Sequence, residues 1–393
     1  MKQITAKLKA AALALLTMTL CPGLSQMTVQ AQIPAAPTQF RMVDLTPDGV
    51  SSAVEGINFF QQVGKVGGFP GGAGPSPTNH AFLWSDVGLS SVDLHPSFLD
   101  YPQLNAPGNS VANATDTVNQ VGSGVGAATN QRIVALRWSG TAASAEVLQP
   151  PFNYHDAAAL GTCGGQAVGY GVTVVSVNGR GTVREFAGPI HAILWNSGST
   201  IGIDLNNGAQ ATVAVGCEGS EQVGYGGSMD SSGQLVQPKA MMWLGNRNNF
   251  VWLHPNGYAS SQAVAVAGGL QVGHAEIQFQ TGRSISFNSR AVLWSGSAAS
   301  MVTLSLPAGS IFNYFATGIS SNGMIAGYGI DTANNQKHAL YWASASAPVV
   351  DLNQFLPPGY LDATANGVDF YGRVVGTVYS GTSYHAVMWV PVH

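Results

Sequence analysis

Charged residues are scarce in this sequence: only 9% of its 393 residues are Asp, Glu, Lys or Arg. Long helical and coiled-coil chains are rich in charge, so this composition argues against both. The 49 glycines favour instead an all-β chain with many tight turns. Disorder is disfavoured as well, because 45% of the residues are hydrophobic and eight are tryptophan.

Basic residues are few, and three of the 15 stand in the first 31 positions, where no acidic residue occurs. Without those positions the chain has 12 basic and 19 acidic residues, a net charge of −7. An acidic chain without a basic cluster predicts no nucleic-acid partner and no electrostatic docking on anionic lipid.

Long hydrophobic runs are also missing, which predicts no transmembrane segment. Residues 10–20 form a short apolar run that follows three lysines, and residues 29–31 (Val-Gln-Ala) match a small-x-small cleavage pattern. Residues 1–31 are therefore predicted to be a secretory signal peptide, and residues 32–40 a flexible Pro-rich lead-in. The mature chain is expected to be a secreted monomer, either extracellular or periplasmic.

Cysteine is nearly absent, with three copies in the whole chain. Lipidation of Cys21 is not expected, because Leu20 is too large for the position before a lipid-modified cysteine. In an exported protein the two that remain, Cys163 and Cys217, typically form one disulfide. That bond would close a loop of about 55 residues and stabilise the fold by roughly 4 kcal/mol. Two unpaired thiols are the alternative, and thiol titration of the unfolded, unreduced protein distinguishes them.

What the sequence does have is a five-residue pattern that recurs seven times, always with Ala second and Trp fifth. The copies begin at His80, Val134, His191, Lys239, Arg290, His338 and His385. Successive tryptophans are 54, 57, 48, 51, 48 and 47 residues apart. A period near fifty that consists of short β patterns is typical of propeller blades.

Each repeat contains four strand-like segments, and the pattern with Ala and Trp is the third of them. The second segment keeps one glycine in every repeat: Gly64, Gly122, Gly169, Gly224, Gly273, Gly327 and Gly376. Glycine inside a strand indicates a close backbone approach or a bulge. We interpret these glycines as the result of crowding between neighbouring blades near the propeller axis.

The two ends of the chain complement each other. Residues 42–45 (Met-Val-Asp-Leu) resemble a fourth strand without the preceding three, and residues 385–389 are a third strand without a fourth. An open array would leave both edges bare. We therefore predict one all-β domain over residues 41–393. It is a seven-bladed β-propeller of four-stranded blades, in which the N-terminal strand completes the last blade and closes the ring.

The third segment of the first repeat, His80-Ala81-Phe82 followed by Leu83-Trp84, resembles the repeats of a family of bacterial extracellular proteins. That family is named HAF-repeat after the His-Ala-Phe tripeptide, and the resemblance covers nearly all of the mature chain. It implies export and a repeat-built β fold. It supplies no catalytic residue.

We interpret the recurring polar and aromatic residues as structural. Histidines at the head of the third strand are spread around a ring, so we expect hydrogen bonds rather than a metal site, and no cofactor. The tryptophans are expected to fill the space between blades. The recurring aspartates are expected to accept hydrogen bonds at strand ends or turns. These residues are His80, His191, His338 and His385, with Asp44, Asp93, Asp204 and Asp351.

The longer loops join the second strand to the third and the fourth to the first, and they share one face of a propeller. Binding residues concentrate on such loops. Aromatic residues recur there before the first strand, and they could stack on and hydrogen-bond a carbohydrate or contact an extracellular protein. The predicted ligand-binding residues are Tyr101, Tyr154, His155, Asp156, Tyr258, Tyr314 and Tyr360. The competing interpretation is that these aromatics fill gaps between blades.

The sequence thus favours a secreted binding or interaction module. Two alternatives stay open, namely a polysaccharide-active lyase or hydrolase and a purely structural extracellular repeat protein. The sequence contains no nucleophile elbow in strand-turn-helix context, no phosphate-binding loop with its lysine and no calcium loop. Paired carboxylates for glycoside cleavage would be brought together only by the fold.

Overall fold

The computed structural model describes residues 37–47, 50–69, 78–85, 90–103, 106–151, 154–179, 182–209, 211–230, 235–281, 284–305 and 311–392. The predicted signal peptide and most of the lead-in lie outside these residues. Within them, no helix is long and apolar enough to cross a membrane.

The described chain forms seven antiparallel sheets of four strands each, which confirms the predicted seven-bladed propeller. Blade 1 contains β2 (Ser51–Asn58), β3 (Gln61–Phe69), β4 (Thr78–Ser85) and β5 (Ser90–Asp93); blade 2 contains β6 (Asn109–Thr115), β7 (Gln120–Val125), β8 (Val134–Trp138) and β9 (Glu146–Leu148); blade 3 contains β10 (Tyr154–Cys163), β11 (Gln166–Gly179), β12 (Thr182–Trp195) and β13 (Gly202–Asp204); blade 4 contains β14 (Ala211–Glu218), β15 (Glu221–Met229), β16 (Leu235–Asn246) and β17 (Asn249–Trp252).

The remaining blades repeat the arrangement, with short 3-10 helices only in loops. Blade 5 contains β18 (Ser260–Ala267), β19 (Leu270–Thr281), β20 (Ser284–Trp294) and β21 (Val302–Thr303); blade 6 contains β22 (Ile311–Ile319), β23 (Ile325–Asp331), β24 (Lys337–Trp342) and β25 (Val349–Asp351); blade 7 contains β26 (Asp362–Val368), β27 (Val374–Tyr379), β28 (Tyr384–Pro391) and β1 (Phe40–Asp44). The 3-10 helices are Ser97–Leu99, Ala127–Thr129, Ala142–Ser144, Ala298–Ser300 and Leu352–Phe355.

The N-terminal strand closes the ring, as predicted. β1 lies antiparallel to β28 with Met42 opposite Trp389, so the first strand of the chain is the outer strand of the last blade. The main-chain N–H of Val392 donates to the carbonyl of Gln39 at 2.9 Å. Blade 7 therefore contains strands from both ends of the described chain.

The hydrophobic core is divided into seven clusters, one at each boundary between adjacent blades, and each contains one of the seven recurring tryptophans. Trp243, for example, packs with Ala192 and Leu205 of the preceding blade. Its indole N–H donates to the Leu205 carbonyl at 2.8 Å. These tryptophans therefore fill the space between blades, as the sequence predicted.

The invariant alanine next to the head of the third strand also has a role between blades. It is fully buried in all seven copies. In blade 1 the N–H of Ala81 donates to the hydroxyl of Ser110 in blade 2 at 2.9 Å. The same bond joins Ala192 to Thr212 at 3.0 Å and, across the seam of the ring, Ala386 to Ser52 at 2.9 Å.

A bulge occurs in the inner strand of every blade, where its pairing with the second strand slips by one residue. The seven invariant glycines lie opposite this point. A Cβ on any of them would come within 1.8–2.0 Å of a carbonyl oxygen of the inner strand. The close approach and the bulge are confirmed, but the crowding comes from the glycine's own blade and not from a neighbouring one.

The bulged residues line a pocket of about 250 Å³ that the inner strands of all seven blades surround. Some of them reach the next blade with their side chains. Asn113 donates to the Ala159 carbonyl at 2.8 Å, Asn366 to the Val54 carbonyl at 2.6 Å, and Thr317 to the Ala365 carbonyl at 2.7 Å. The bulges therefore hold the inner ring together.

A disulfide joins Cys163 of blade 3 to Cys217 of blade 4, with their Cα atoms 5.8 Å apart. Cys163 ends β10 and Cys217 is next to the last residue of β14, so the bond connects adjacent inner strands near their turns. A bond of this kind is typical of an oxidising compartment.

Candidate functional site

Four of the blades contain a hydrogen-bonded His–Asp pair that joins the third strand to the outer strand. The pairs are His80–Asp93 at 2.7 Å, His191–Asp204 at 2.9 Å, His338–Asp351 at 2.7 Å and His385–Asp44 at 2.9 Å, each from Nδ1 to a carboxylate oxygen. The second oxygen of each carboxylate accepts the N–H of the residue two positions later. The predicted structural roles of the histidines and aspartates are confirmed.

Two members of these pairs, His338 and Asp204, have shifted pKa values. The hydrogen bond to Asp351 raises the pKa of His338, although burial acts in the opposite direction. Burial alone would raise the pKa of Asp204, but hydrogen bonds from His191, from the Asn206 N–H and from the Tyr154 hydroxyl outweigh it and lower the pKa. The lowered pKa means that Asp204 is ionised at neutral pH, and its oxygens accept hydrogen bonds from these three protein groups.

Sequence reasoning did not identify that these histidines and aspartates are partners, although a signal was present. The blades with Val134, Lys239 and Arg290 in place of the histidine also lack the aspartate. In each blade the histidine and the aspartate are either both present or both absent. Residues that contact each other directly produce this pattern.

The pair in blade 7 has an additional partner. With His385 Nδ1 donating to Asp44, its Nε2 accepts from the hydroxyl of Ser383 at 2.8 Å. This connectivity is that of a nucleophile-activating triad. Ser383 also bonds the hydroxyl of Ser380 at 3.1 Å, and among the described residues the pairs His191–Asp204 and His338–Asp351 occur without such a serine. The His385–Asp44 bond is explained by the structural role that all four His–Asp pairs share, namely joining the third strand to the outer strand.

A cleft of about 490 Å³ lies between blades 2 and 3, and three of the predicted ligand-binding residues line it. These are Tyr154, His155 and Asp156, at the beginning of β10. The rest of its wall includes apolar residues from the end of blade 2 and the loop that follows it, together with Ile201 of blade 3. The complete lining is Thr129, Arg132, Ile133, Val134, Val147, Leu148, Gln149, Pro150, Pro151, Tyr154, His155, Asp156, Ala157 and Ile201.

The polar groups of the cleft are fixed by hydrogen bonds. Asp156 accepts the N–H of Ile133 at 2.8 Å through one oxygen and bonds His155 Nδ1 at 2.8 Å through the other. The Tyr154 hydroxyl donates to Asp204 at 3.0 Å. Burial, and then the Asp204 carboxylate, raises the pKa of Tyr154, so the phenol stays protonated. The cleft is therefore preorganised.

The other predicted site residues lie in different blades or loops. Tyr101 bonds Gln131 at 2.9 Å, next to the cleft residue Arg132. Tyr314 is 1% exposed and donates to the Leu304 carbonyl at 3.1 Å, while Tyr258 packs on the core between blades 4 and 5. Tyr360 donates to Asp44 at 3.3 Å. The structure thus groups Tyr154, His155 and Asp156 and separates the remaining tyrosines.

His274, in the second strand of blade 5, is a titratable residue that sequence reasoning did not single out. Its ring packs edge-on against Phe315 of blade 6, with centroids 5.0 Å apart. Burial lowers the pKa of His274 to about 4, and the nearby Glu276 opposes this only in part.

This low pKa predicts a loss of stability in acid. Since the pKa of His274 in the folded protein lies below the ordinary histidine value of 6.5, unfolding takes up a proton as the pH falls from about 6.5 to about 4. The loss attributable to His274 is roughly 3 kcal/mol by pH 4. His274→Phe keeps the ring contact and removes the titration. Urea unfolding of the unaltered protein and of His274→Phe is measured at pH 7, 5.5 and 4. The difference between their free energies of unfolding should change by roughly 3 kcal/mol from pH 7 to pH 4. A difference that stays constant would contradict the low pKa of His274.

No family model and no curated protein sequence matches the chain. Among solved structures, the chain is similar to Trypanosoma rangeli sialidase in complex with sialic acid, at 9% identity and a TM-score of 0.36, over 90% of this chain and 57% of that one. A second structure of Trypanosoma rangeli sialidase matches at 10% identity and a TM-score of 0.37, over 90% and 55%. The chain spans little more than half the length of either structure.

Proposed function

We propose that this protein is a secreted binding module whose cleft between blades 2 and 3 takes a carbohydrate. The observation that carries the proposal is the convergence of Tyr154, His155 and Asp156 on one cleft of about 490 Å³. Binding pockets for small ligands have this size, with mostly apolar walls and a few fixed polar groups. The Cys163–Cys217 disulfide supports the secreted location.

The lining suits the two kinds of surface that a sugar ring presents. Apolar side chains such as Ile133, Pro150 and Ile201 can pack against its C–H faces. With Nδ1 of His155 held by Asp156, Nε2 is the remaining polar atom of the ring and can bond a hydroxyl.

The carboxylates favour binding over glycoside cleavage. Asp156 is the one carboxylate among the described residues of the cleft lining, and it already accepts hydrogen bonds from Ile133 and His155. Glycoside hydrolysis generally needs two carboxylic groups about 5 to 10 Å apart across the scissile bond. The polysaccharide-active enzyme is therefore the weaker candidate.

The proposal predicts that Tyr154→Ala and His155→Ala each weaken carbohydrate binding at least about tenfold. A glycan array with the unaltered protein identifies the ligand, and calorimetry then compares the variants. Tyr360→Ala is the matched control, because Tyr360 also bonds the aspartate of a His–Asp pair but lies in blade 7. Its affinity should match that of the unaltered protein.

Two results would count against the proposal. One is an array on which no glycan binds, which leaves the purely structural role. The other is an equal loss of affinity in Tyr154→Ala and Tyr360→Ala, which would indicate a general effect on the fold. Release of shorter sugars from a bound polysaccharide would favour the enzyme instead.

A further inference from the structure

In blade 7 a serine hydroxyl contacts the histidine of the His–Asp pair. Ser383 Oγ donates to His385 Nε2 at 2.8 Å, while His385 Nδ1 donates to Asp44 at 2.9 Å. Joining the third strand to the outer strand requires only the second of these bonds. Among the described residues, His191 and His338 make the same bond to their aspartates without a serine. The Ser383–His385 bond therefore needs an explanation of its own.

The backbone brings these three side chains together and holds the serine in position. Ser383 directly precedes β28 and His385 is its second residue, so their side chains share one face of the extended chain. Asp44 is the last residue of β1, which pairs with β28. The Ser383 N–H donates to the Ser380 hydroxyl at 3.2 Å, and the Ser380 N–H donates to the Ser383 carbonyl at 3.0 Å. The position of Ser383 is therefore fixed by its own main chain.

The same three residues line a cavity of about 450 Å³, beside the segment that leads from blade 7 to blade 1. It is separate from the cleft between blades 2 and 3. The described residues of its lining are Asp44, Thr46, Pro47, Val50, Ser51, Ser383 and His385. The apolar side chains of Pro47 and Val50 can pack against the hydrocarbon part of a small ligand. The cavity therefore gives such a ligand access to Ser383 and His385.

The lining also contains a hydroxyl that can stabilise negative charge. The Thr46 hydroxyl accepts from the Ser52 hydroxyl at 2.8 Å, and the Ser52 oxygen in turn accepts the N–H of Ala386 at 2.9 Å. This chain of bonds leaves the proton of the Thr46 hydroxyl for another acceptor. Ser51, by contrast, donates to the Tyr384 carbonyl at 3.2 Å. A carbonyl oxygen that gains charge during nucleophilic attack is a suitable acceptor for Thr46, and such donors lower the barrier.

We propose that Ser383, His385 and Asp44 form an acyl-transfer centre that hydrolyses carboxylic esters with a small acyl group. Ser383 Oγ attacks the ester carbonyl carbon while His385 Nε2 takes the hydroxyl proton. The tetrahedral intermediate then breaks its bond to the alcohol, which leaves with the proton from His385. A water molecule attacks the acyl-serine with His385 again as the base, the carboxylic acid is released, and Ser383 regains its proton. Asp44 keeps Nδ1 protonated and orients the imidazole throughout.

The donors in the cavity favour an ester over an amide as the substrate. The Thr46 N–H is bonded to Asp44 at 2.9 Å, which leaves the Thr46 hydroxyl as the donor for the oxyanion. A single hydroxyl stabilises the oxyanion less than the two main-chain N–H groups of a serine protease, and an alcohol leaves more readily than an amine. The reaction does not depend on the carbohydrate cleft, so either proposal can fail without the other.

The test uses the full chain, a fluorophosphonate probe and p-nitrophenyl acetate. The probe reacts with activated serines, and tandem mass spectrometry should locate its adduct on Ser383 and not on Ser380. Ser383→Ala should abolish this adduct and reduce ester hydrolysis to the background rate. His385→Gln keeps the serine but removes the base, so labelling and hydrolysis should slow about a hundredfold or more.

Two further variants test the supporting residues through the kinetics of p-nitrophenyl acetate hydrolysis. Asp44→Asn should lower kcat at least about tenfold and change KM less than about twofold, because Asp44 acts through His385. Thr46→Val keeps a branched side chain but removes the hydroxyl donor. It should also lower kcat about tenfold or more with little change in KM.

A matched control separates catalysis from folding. His338→Gln breaks the same kind of His–Asp bond in blade 6, so the melting temperatures of His338→Gln and His385→Gln should fall by similar amounts. Labelling of Ser383 and ester hydrolysis should nevertheless be unchanged in His338→Gln. The absence of an adduct on Ser383 in the unaltered protein would overturn the proposal. Labelling at the unaltered rate in His385→Gln, or an equal loss in His338→Gln, would overturn it too, because neither result depends on activation by His385.

Discussion

Alanine in place of Gly224 is expected to lower the free energy of unfolding by about 3–5 kcal/mol. The new Cβ would lie 1.9 Å from the Val213 carbonyl oxygen and 2.9 Å from the Val213 carbonyl carbon. Because the obstacle is backbone, β14 and β15 must separate at the bulge to admit a methyl group, and their hydrogen bonds weaken. Chemical denaturation of the purified variant measures the loss.

The same strand provides a matched control. Gly227 is three residues further along β15, and a Cβ there would have no neighbour closer than 3.2 Å. Gly227→Ala should change stability by less than about 1 kcal/mol. If Gly224→Ala and Gly227→Ala were equally stable, the bulge would not be the reason for the invariant glycine.

Trp243→Ala is expected to cost about 3–5 kcal/mol, because it empties the space between blades 3 and 4 and leaves the Leu205 carbonyl without its indole partner. The eighth tryptophan, Trp252, is the control: it belongs to the same blade but is 40% exposed. Trp252→Ala should cost less than about 1 kcal/mol. Similar losses in thermal or denaturant unfolding for both variants would refute the assignment of the recurring tryptophans to the core between blades.

The blade count and the closure of the ring could be predicted because they depend on features that the sequence repeats. Seven tryptophans mark seven third strands, and residues 42–45 supply the fourth strand that residues 385–389 lack. The close backbone approach at the invariant glycines could also be predicted, but not that the obstructing backbone belongs to the glycine's own blade. The bulged residues opposite the glycines include Glu55, Leu160 and Thr317, which share no chemistry, because the bulge is a property of the backbone.

The site was less predictable, because similar positions in different blades do not converge. Tyr154 and Tyr360 follow the same local pattern, and each bonds the aspartate of its own blade. The blades keep them apart. The cleft arises where the end of blade 2 and the loop after it meet β10, so its apolar wall comes from residues such as Pro150 that no repeat pattern identifies.

The closure of blade 7 also sets an order of events. Asp44 and His385, which are bonded in the folded ring, are 341 residues apart along the chain. Of the described strands, β1 is synthesised first and its partner β28 last, and until β28 is present blade 7 keeps an unpaired edge open to other chains. Closure of the ring is therefore the last step, after the strands of the other six blades have been synthesised.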